Sequence, residues 1–222
     1  MKNLRLQKVA TYINKEDRLG DVGCDHGYLA IMALEKGVEF VQLIDNKEGP
    51  LASAKQNLVI YENGKNIKYS LSSGISDLDP SVNTVAICGM GGELISKILE
   101  DDFLTACKVN KFILQPNSKV SFLRRYLNNN KFCIIDEDIV EDAGKVYEII
   151  VAKYDDTFHK YSEKEILFGP VLMKKKHPLF INKWKNKLAL NKKILNSLSK
   201  DDIKYQIIEN SIKIIEEVLY EN

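Results

Sequence analysis

Over roughly the first 150 positions, short apolar runs alternate with stretches in which apolar residues recur every three or four positions. Runs of the first kind read as buried strands and stretches of the second as helices laid against them. Strands are predicted over 18–22, 39–44, 67–71, 84–88 and 111–114, with helices over 29–36, 49–58, 93–99 and 120–127 between or after them. Two further runs, 132–140 and 146–152, are separated by Glu141-Asp142-Ala143-Gly144-Lys145 alone. No helix fits in that joint, so the two pair as an antiparallel hairpin. The result is an α/β protein with a seven-stranded, mostly parallel sheet and one reversed edge. Ahead of the sheet, Leu4, Leu6, Val9, Ala10, Tyr12 and Ile13 form a short amphipathic helix. It covers either a sheet edge or the mouth of a site.

From Ser162 onward strands give way to helices. Ile181, Trp184, Leu188, Asn191, Leu195 and Leu198 recur at steps of three and four, and Tyr205, Ile208, Ile212, Ile215 and Leu219 repeat the pattern. Two such seams predict a coiled-coil helical hairpin, with Asn191 either fixing its register or facing solvent. Ser199 is placed to cap the second helix, with Asp202 three residues on. The expected division is residues 1–156 and 157–222.

Composition adds one distinction. The 45% hydrophobic and 28% charged content is ordinary for a globular protein. The net charge of +1, however, hides a basic second part: thirteen lysines against eight acids after position 156, a local charge of +5. Eight lysines and no acid fall between Lys174 and Lys193. Such a block is a candidate phosphate-contacting surface as well as a solvated helix face. Cys24, Cys88, Cys107 and Cys133 are scattered, without a C-x-x-C pair or a histidine at ligand spacing, which predicts a reduced protein with no metal site. Neither a signal peptide nor a membrane span is expected, and the cytoplasm is the expected location.

Candidate chemistry gathers where strands end in glycine. The first strand closes into Asp21-Val22-Gly23-Cys24-Asp25-His26-Gly27-Tyr28, and the next ends at Asp45. A strand, a glycine turn, a helix and a strand capped by a carboxylate is the layout of a nucleoside-binding unit, the carboxylate placed for a ribose diol. The spacing D-x-G-x-x-x-G departs from the G-x-G-x-x-G of dinucleotide enzymes and is similar to the first motif of class I S-adenosylmethionine-dependent methyltransferases. Ser72-Ser73-Gly74 and Cys88-Gly89-Met90-Gly91-Gly92 occupy two more strand ends, and Gln115-Pro116-Asn117 a third. Ligands of open parallel sheets sit along this edge.

Together with Glu141-Asp142-Ala143-Gly144-Lys145-Val146-Tyr147-Glu148 and Phe168-Gly169-Pro170, these motifs resemble the bacterial tRNA (adenine-22-N1)-methyltransferases over almost the whole chain. The resemblance implies a Rossmann-like class I methyltransferase domain with a carboxyl-terminal coiled coil, S-adenosylmethionine as cofactor and tRNA as substrate; apart from the resemblance, a monomer is expected. It places Asp21 and Gly23 at the methionine end of the cofactor, Asp45 at its ribose, Ser73 and Gly74 at its adenine, and Gly89 beside it. Asp25 and His26 become the catalytic candidates. Tyr28, Met90, Gly91, Gly92, Gln115 and Asn117 become candidates for holding the target base, and Lys183, Lys185, Lys187, Lys192 and Lys193 for tRNA phosphates. Two positions depart from the family: Asp45 stands where Glu is common, and Ser73 where Asp is common. A class I enzyme acting on another RNA or a small molecule, or an RNA-binding protein without catalysis, are the alternatives.

Overall fold

The computed structural model describes residues 3–158 and 160–220. Seven strands form one sheet: β1 (Arg18–Val22), β2 (Phe40–Asp45), β3 (Asn66–Leu71), β4 (Thr84–Gly91), β5 (Lys111–Ser118), β6 (Phe132–Asp142) and β7 (Lys145–Tyr154). Their order is β3-β2-β1-β4-β5-β7-β6. Helices α1 (Leu4–Ala10), α2 (Tyr28–Glu35), α3 (Glu48–Leu58), α4 (Gly92–Asp101), α5 (Phe103–Ala106) and α6 (Val120–Asn129) accompany it. Strands β1, β2, β4 and β5 are buried along nearly their whole apolar length because separate apolar clusters cover the two faces of the sheet.

The chain steps outward from β1 through β2 to β3, then returns to lay β4 on the other side of β1. That reversal opens a crevice at the carboxyl ends of β1 and β4, the place where such sheets bind ligands.

The hairpin of β6 and β7 turns in two residues, Ala143 (φ 49°) and Gly144 (φ 73°). Two successive left-handed residues match the twist of the flanking strands. The reversed strand is β7, which lies inside the sheet between β5 and β6, so the outermost strand is not the reversed one as expected. Two other strands outrun their predicted ends. β4 continues through Gly89 and Met90 to Gly91 with register shifts against β5, and β5 continues through Pro116 to Ser118. β7 stops pairing with β5 at Leu114, so Pro116 lies in a stretch with a neighbour on one side only, where a missing N–H costs nothing.

Beyond the sheet come α7 (Glu163–Phe168), α8 (Leu172–Lys175), α9 (Pro178–Leu195) and α10 (Ile203–Tyr220). Helices α9 and α10 form a hairpin whose core holds Trp184, Leu188, Ile212, Ile215 and Leu219, together with Ile139 of β6. Asn191 is buried in the seam and donates to Ser211 Oγ at 2.9 Å, so the solvent-facing alternative is wrong. Leu198 lies past the end of α9 and does not extend the seam as a helical residue. The cap of α10 also shifts: Asp202, not Ser199, accepts from a first-turn amide, that of Lys204 at 2.8 Å.

Candidate active site

Two adjoining cavities open at the carboxyl ends of β1, β2 and β4. The larger, of about 430 Å³, is lined by Asp21, Gly23, Cys24 and Asp25 from the first turn, Asp45, the Cys88–Gly89–Met90 segment, Asn117, and Asn3, Arg5 and Leu6 of the amino-terminal segment. The smaller, of about 170 Å³, is lined by Val22, Ile44, Leu94 and Ile98 with Asn46, Ser72, Ser73 and Gly74 on its polar side. Gly23, Asp45 and Met90 belong to both. The turns led by Asp21 and Gly89 therefore meet in one place.

Gly23 and Gly27 both take left-handed backbone, at φ 73° and 72°. A Cβ on Gly23 would lie 2.1 Å from the Met90 methyl, so the methionine packs directly on the turn. A Cβ on Gly27 would run into Leu58, Leu43 and Ala54, which makes that glycine a packing requirement of α2 against α3. Asp25 is held between them at φ 49°, with an exposed side chain. It does not cap α2: the cap position is Gly27, which has no side-chain bond. Aspartate is one of the few non-glycine residues that adopt this conformation, and here it stands free of any capping duty.

Asp21 is buried, and its Oδ2 has no hydrogen-bond partner. Burial pushes its carboxyl up to about 7; the Ala30 N–H opposes that rise and the Asp45 carboxylate adds to it. An orphaned buried carboxylate oxygen on a cavity wall is a site waiting for a cation or a donor.

The Gly89 backbone is fixed at both ends. Its N–H donates to Gln115 Oε1 at 3.1 Å, and its C=O accepts from Asn117 Nδ2 at 2.7 Å. Gln115 is fully buried, lines neither cavity, and also donates to Asn117 at 3.1 Å and accepts from Arg5. It braces the turn and does not face a substrate, contrary to expectation. Gly92 departs likewise: it is buried, with a Cβ position 2.4 Å from the Lys119 carbonyl oxygen, so it is small to let α4 pass the end of β5. Gly91 lines neither cavity and faces Ser118.

His26 is half exposed, with Nε2 3.6 Å from Asp25 Oδ1 and its carbonyl accepting from Asn57. It lines neither cavity, whereas Tyr28, 5.7 Å from it between ring centroids, stands half exposed on the rim of the larger one. Arg5 escaped the sequence reading. Its signal was the amphipathic amino-terminal helix, which the structure places over the mouth of the site.

The lysine block divides. Lys183 pairs with the buried Glu148, and Lys192 pairs with Glu216 at 2.6 Å. Lys185, Lys187 and Lys193 are exposed on α9 and form no ion pair among the described residues. Among the described residues no group of three or more His, Cys, Asp or Glu is placed to hold a metal ion, and no helix is long and apolar enough to cross a membrane.

Residues 19–218 match the family model described as tRNA (adenine(22)-N(1))-methyltransferase, TrmK. The chain belongs to the TrmK family. The tRNA (adenine(22)-N(1))-methyltransferase of Bacillus subtilis is 33% identical over 206 residues, 88% of this chain and 84% of the relative. The structure of M. capricolum TrmK in complex with S-adenosyl-homocysteine superposes with a TM-score of 0.83 at 29% identity, covering 99% of this chain and 98% of that one. A Streptococcus agalactiae protein of the NADB-Rossmann superfamily gives 0.89 at 37% identity, covering 99% and 97%. Membership in the TrmK family accords with the strand order and with the glycine turns at the carboxyl edge.

Proposed function

We propose that this protein transfers the methyl group of S-adenosylmethionine to N1 of adenine 22 in tRNA. The reading rests on one observation: the Asp21 and Gly89 turns, at the chain reversal of the sheet, line a single cavity. The residues present fit the cofactor. The apolar slot of Val22, Ile44, Leu94 and Ile98 suits a purine, with Ser73 and Gly74 at its edge. Asp45, shared by both cavities, suits the ribose diol, and the unpartnered Asp21 oxygen suits the methionyl ammonium.

Bound there, S-adenosylmethionine supplies an electrophilic methyl on a sulfonium centre. Adenine N1 is unprotonated near neutral pH and needs position more than a strong base. The base gains a positive charge as its N1 is alkylated, and Asp25 accepts a hydrogen bond from the exocyclic amine as that charge develops. His26 stands beside Asp25, its Nε2 3.6 Å from Oδ1, beyond direct hydrogen-bond distance. Met90 and the braced Gly89 backbone form the wall along which the base lies, with Asn117 below and Tyr28 stacking at the rim. An adenine stacked in folded tRNA has to swing out to reach this wall.

Residues 1–156 carry the chemistry and residues 157–222 hold the tRNA, with Lys185, Lys187 and Lys193 on its phosphates. The protein works as a monomer in this reading. The cytoplasm, where tRNA is found and thiols stay reduced, suits the four unpaired cysteines.

The test is label transfer from S-adenosylmethionine to a tRNA transcript carrying adenine or guanine at position 22. Labelling is expected with adenine alone, and equal labelling of both would refute the target. In the same assay, changing Lys185, Lys187 and Lys193 to glutamine weakens tRNA binding and lowers its log–log salt slope by roughly one per lysine lost. An unchanged slope removes these lysines from the interface.

A pH dependence follows from Asp21. A cationic partner favours the ionised carboxylate, so cofactor affinity levels off above about pH 7, up to the point at about pH 8 where the ligand's own ammonium loses its proton, and it falls below about pH 7, approaching tenfold per unit once Asp21 is protonated in the free protein. Calorimetric titration across that range with wild type and Asp21→Asn checks it. The variant should bind weakly and without the slope; an equally steep profile in both proteins assigns the proton elsewhere.

A further inference from the structure

Helices α9 and α10 pair along one seam, and the two flanks of that seam differ in charge. One flank is marked by the Lys192–Glu216 ion pair and also carries Glu209. Successive helical residues turn by about 100°, so Leu190 and Lys192 stand on opposite sides of the seam residue Asn191. Leu190 therefore belongs to the other flank, with Lys187 and Lys183 one and two turns before it. Ile207 joins that flank from α10, one turn from the Ser211 that meets Asn191, and Lys204 lies one turn further on. Between Lys183 and Ser211 this flank holds no Asp or Glu on either helix. Its apolar members face water, Leu190 at 51% exposure and Ile207 at 63%. Resting on the tRNA reading above, we infer that this flank packs against unpaired bases of the tRNA, apart from the adenine that is methylated.

The flank begins at the edge of the sheet that carries the cavities. Lys183 reaches Glu148 of β7, which lies beyond Ile150, the residue where pairing with β5 stops, and so at the carboxyl end of the parallel strands. Beside it a groove of about 430 Å³ runs over Trp184 between Lys183, Lys187 and Leu190. An apolar floor with cations at its rim suits a flat ring carried on an anionic backbone: the ring covers indole and aliphatic surface while the phosphate meets a lysine. Phosphate contact alone gains nothing from Leu190 or Ile207. Duplex RNA keeps its base faces stacked away, so unpaired bases are the part of an RNA that these two residues can cover. A second copy of the chain is the other guest for an exposed apolar surface. Two such flanks laid together would set lysine against lysine with no acid between them, which charge complementarity disfavours.

The discriminating pair of probes is an unmodified tRNA transcript and an RNA duplex without unpaired bases. Binding of each to wild type and to the double variant Leu190→Ala, Ile207→Ala is measured by fluorescence anisotropy over a range of salt. Both side chains are exposed, so truncating them leaves the core intact. The variant should bind tRNA about 5- to 30-fold more weakly, the effect of losing two covered aliphatic side chains, with an unchanged log–log salt slope because no phosphate contact is lost. Its affinity for the duplex should equal that of wild type, which also shows that it is folded with its basic surface in place. Leu190→Met with Ile207→Val should keep most of the tRNA affinity. Equal weakening of both RNAs, a lower slope, or no weakening at all overturns the base-contact assignment while leaving the methyltransferase reading standing. Sedimentation velocity tests the rival guest: a wild-type dimer that the double variant splits would make the flank a contact between copies and overturn the inference as well. Wild-type protein that neither binds nor methylates the tRNA overturns the methyltransferase reading, and this inference with it.

Discussion

Replacing Asp25 with asparagine is expected to lower the rate of methyl transfer by about 100- to 1,000-fold, while cofactor affinity stays within about threefold of wild type. The expectation comes from what Asp25 does not do. It makes no capping bond to α2, its side chain is exposed on the cavity rim, and its backbone sits at φ 49° between two left-handed glycines. A carboxylate so placed can meet a base entering from solvent without touching the cofactor's buried end. Asparagine is the cleaner substitution because, like aspartate, it tolerates left-handed backbone, so the turn survives while the charge is lost. Alanine removes the acceptor as well and adds strain of about 1–2 kcal/mol, so Asp25→Ala should lose at least as much activity with some added loss of stability. Single-turnover rates beside calorimetric Kd values separate the effects. Turnover retained by Asp25→Asn would eliminate the carboxylate as the charge-stabilising group, and a parallel collapse of cofactor binding would make the residue a support of the turn.

The glycine turns and the hairpin were legible in the sequence because each is a local event. Asp21-x-Gly23 sits where an apolar run stops, and only two antiparallel strands can be joined by Ala143-Gly144. The extensions of β4 through Gly89 and of β5 through Pro116 were not legible, since glycine and proline ordinarily end strands and here pair along one side only. The roles of Gln115 and Gly92 were misjudged for a related reason. A glutamine or glycine at a strand end looks the same in sequence whether it faces a ligand or a neighbouring backbone, and burial decided against the ligand in both. Arg5 and Lys183 needed tertiary information. One reaches Gln115 across 110 residues of chain and the other reaches Glu148 across 35. Charge counting could locate a basic block but not subtract the lysines already neutralised within it.

The second large effect is one of stability and centres on Arg124. This side chain of α6 is almost wholly buried, with Nε 2.7 Å from Glu137 Oε1 and Nη2 2.5 Å from Glu148 Oε2, each carboxylate as buried as the arginine. Glu137 also accepts the Val171 and Leu172 amides at 2.9 and 3.2 Å, while Glu148 takes Lys183 of α9. Burial alone would raise the Glu148 carboxyl, but Arg124 and Lys183 outweigh it and hold it below the usual range; at Glu137 burial prevails and the carboxyl is raised. Arg124→Met fills a similar volume yet leaves Glu137 buried without its counter-charge and Glu148 with Lys183 as its remaining cation, for a loss of about 3–5 kcal/mol. For a chain of this size that corresponds to a fall in Tm of roughly 6–20 °C. The loss should depend on pH in a defined direction. Without the arginine Glu137 takes up a proton still more readily in the folded than in the unfolded state, and Glu148 loses part of what holds its carboxyl low, so the gap from wild type is widest near neutral pH and narrows as pH falls toward about 5. Pairing Arg124→Met with Glu137→Gln should restore part of the stability at neutral pH by removing one stranded charge. Thermal unfolding of the three proteins near pH 7 and near pH 5 decides the matter. A single variant that unfolds within about 1 kcal/mol of wild type at both pH values would mean that this cluster does not hold the α9 end of the molecule to its sheet.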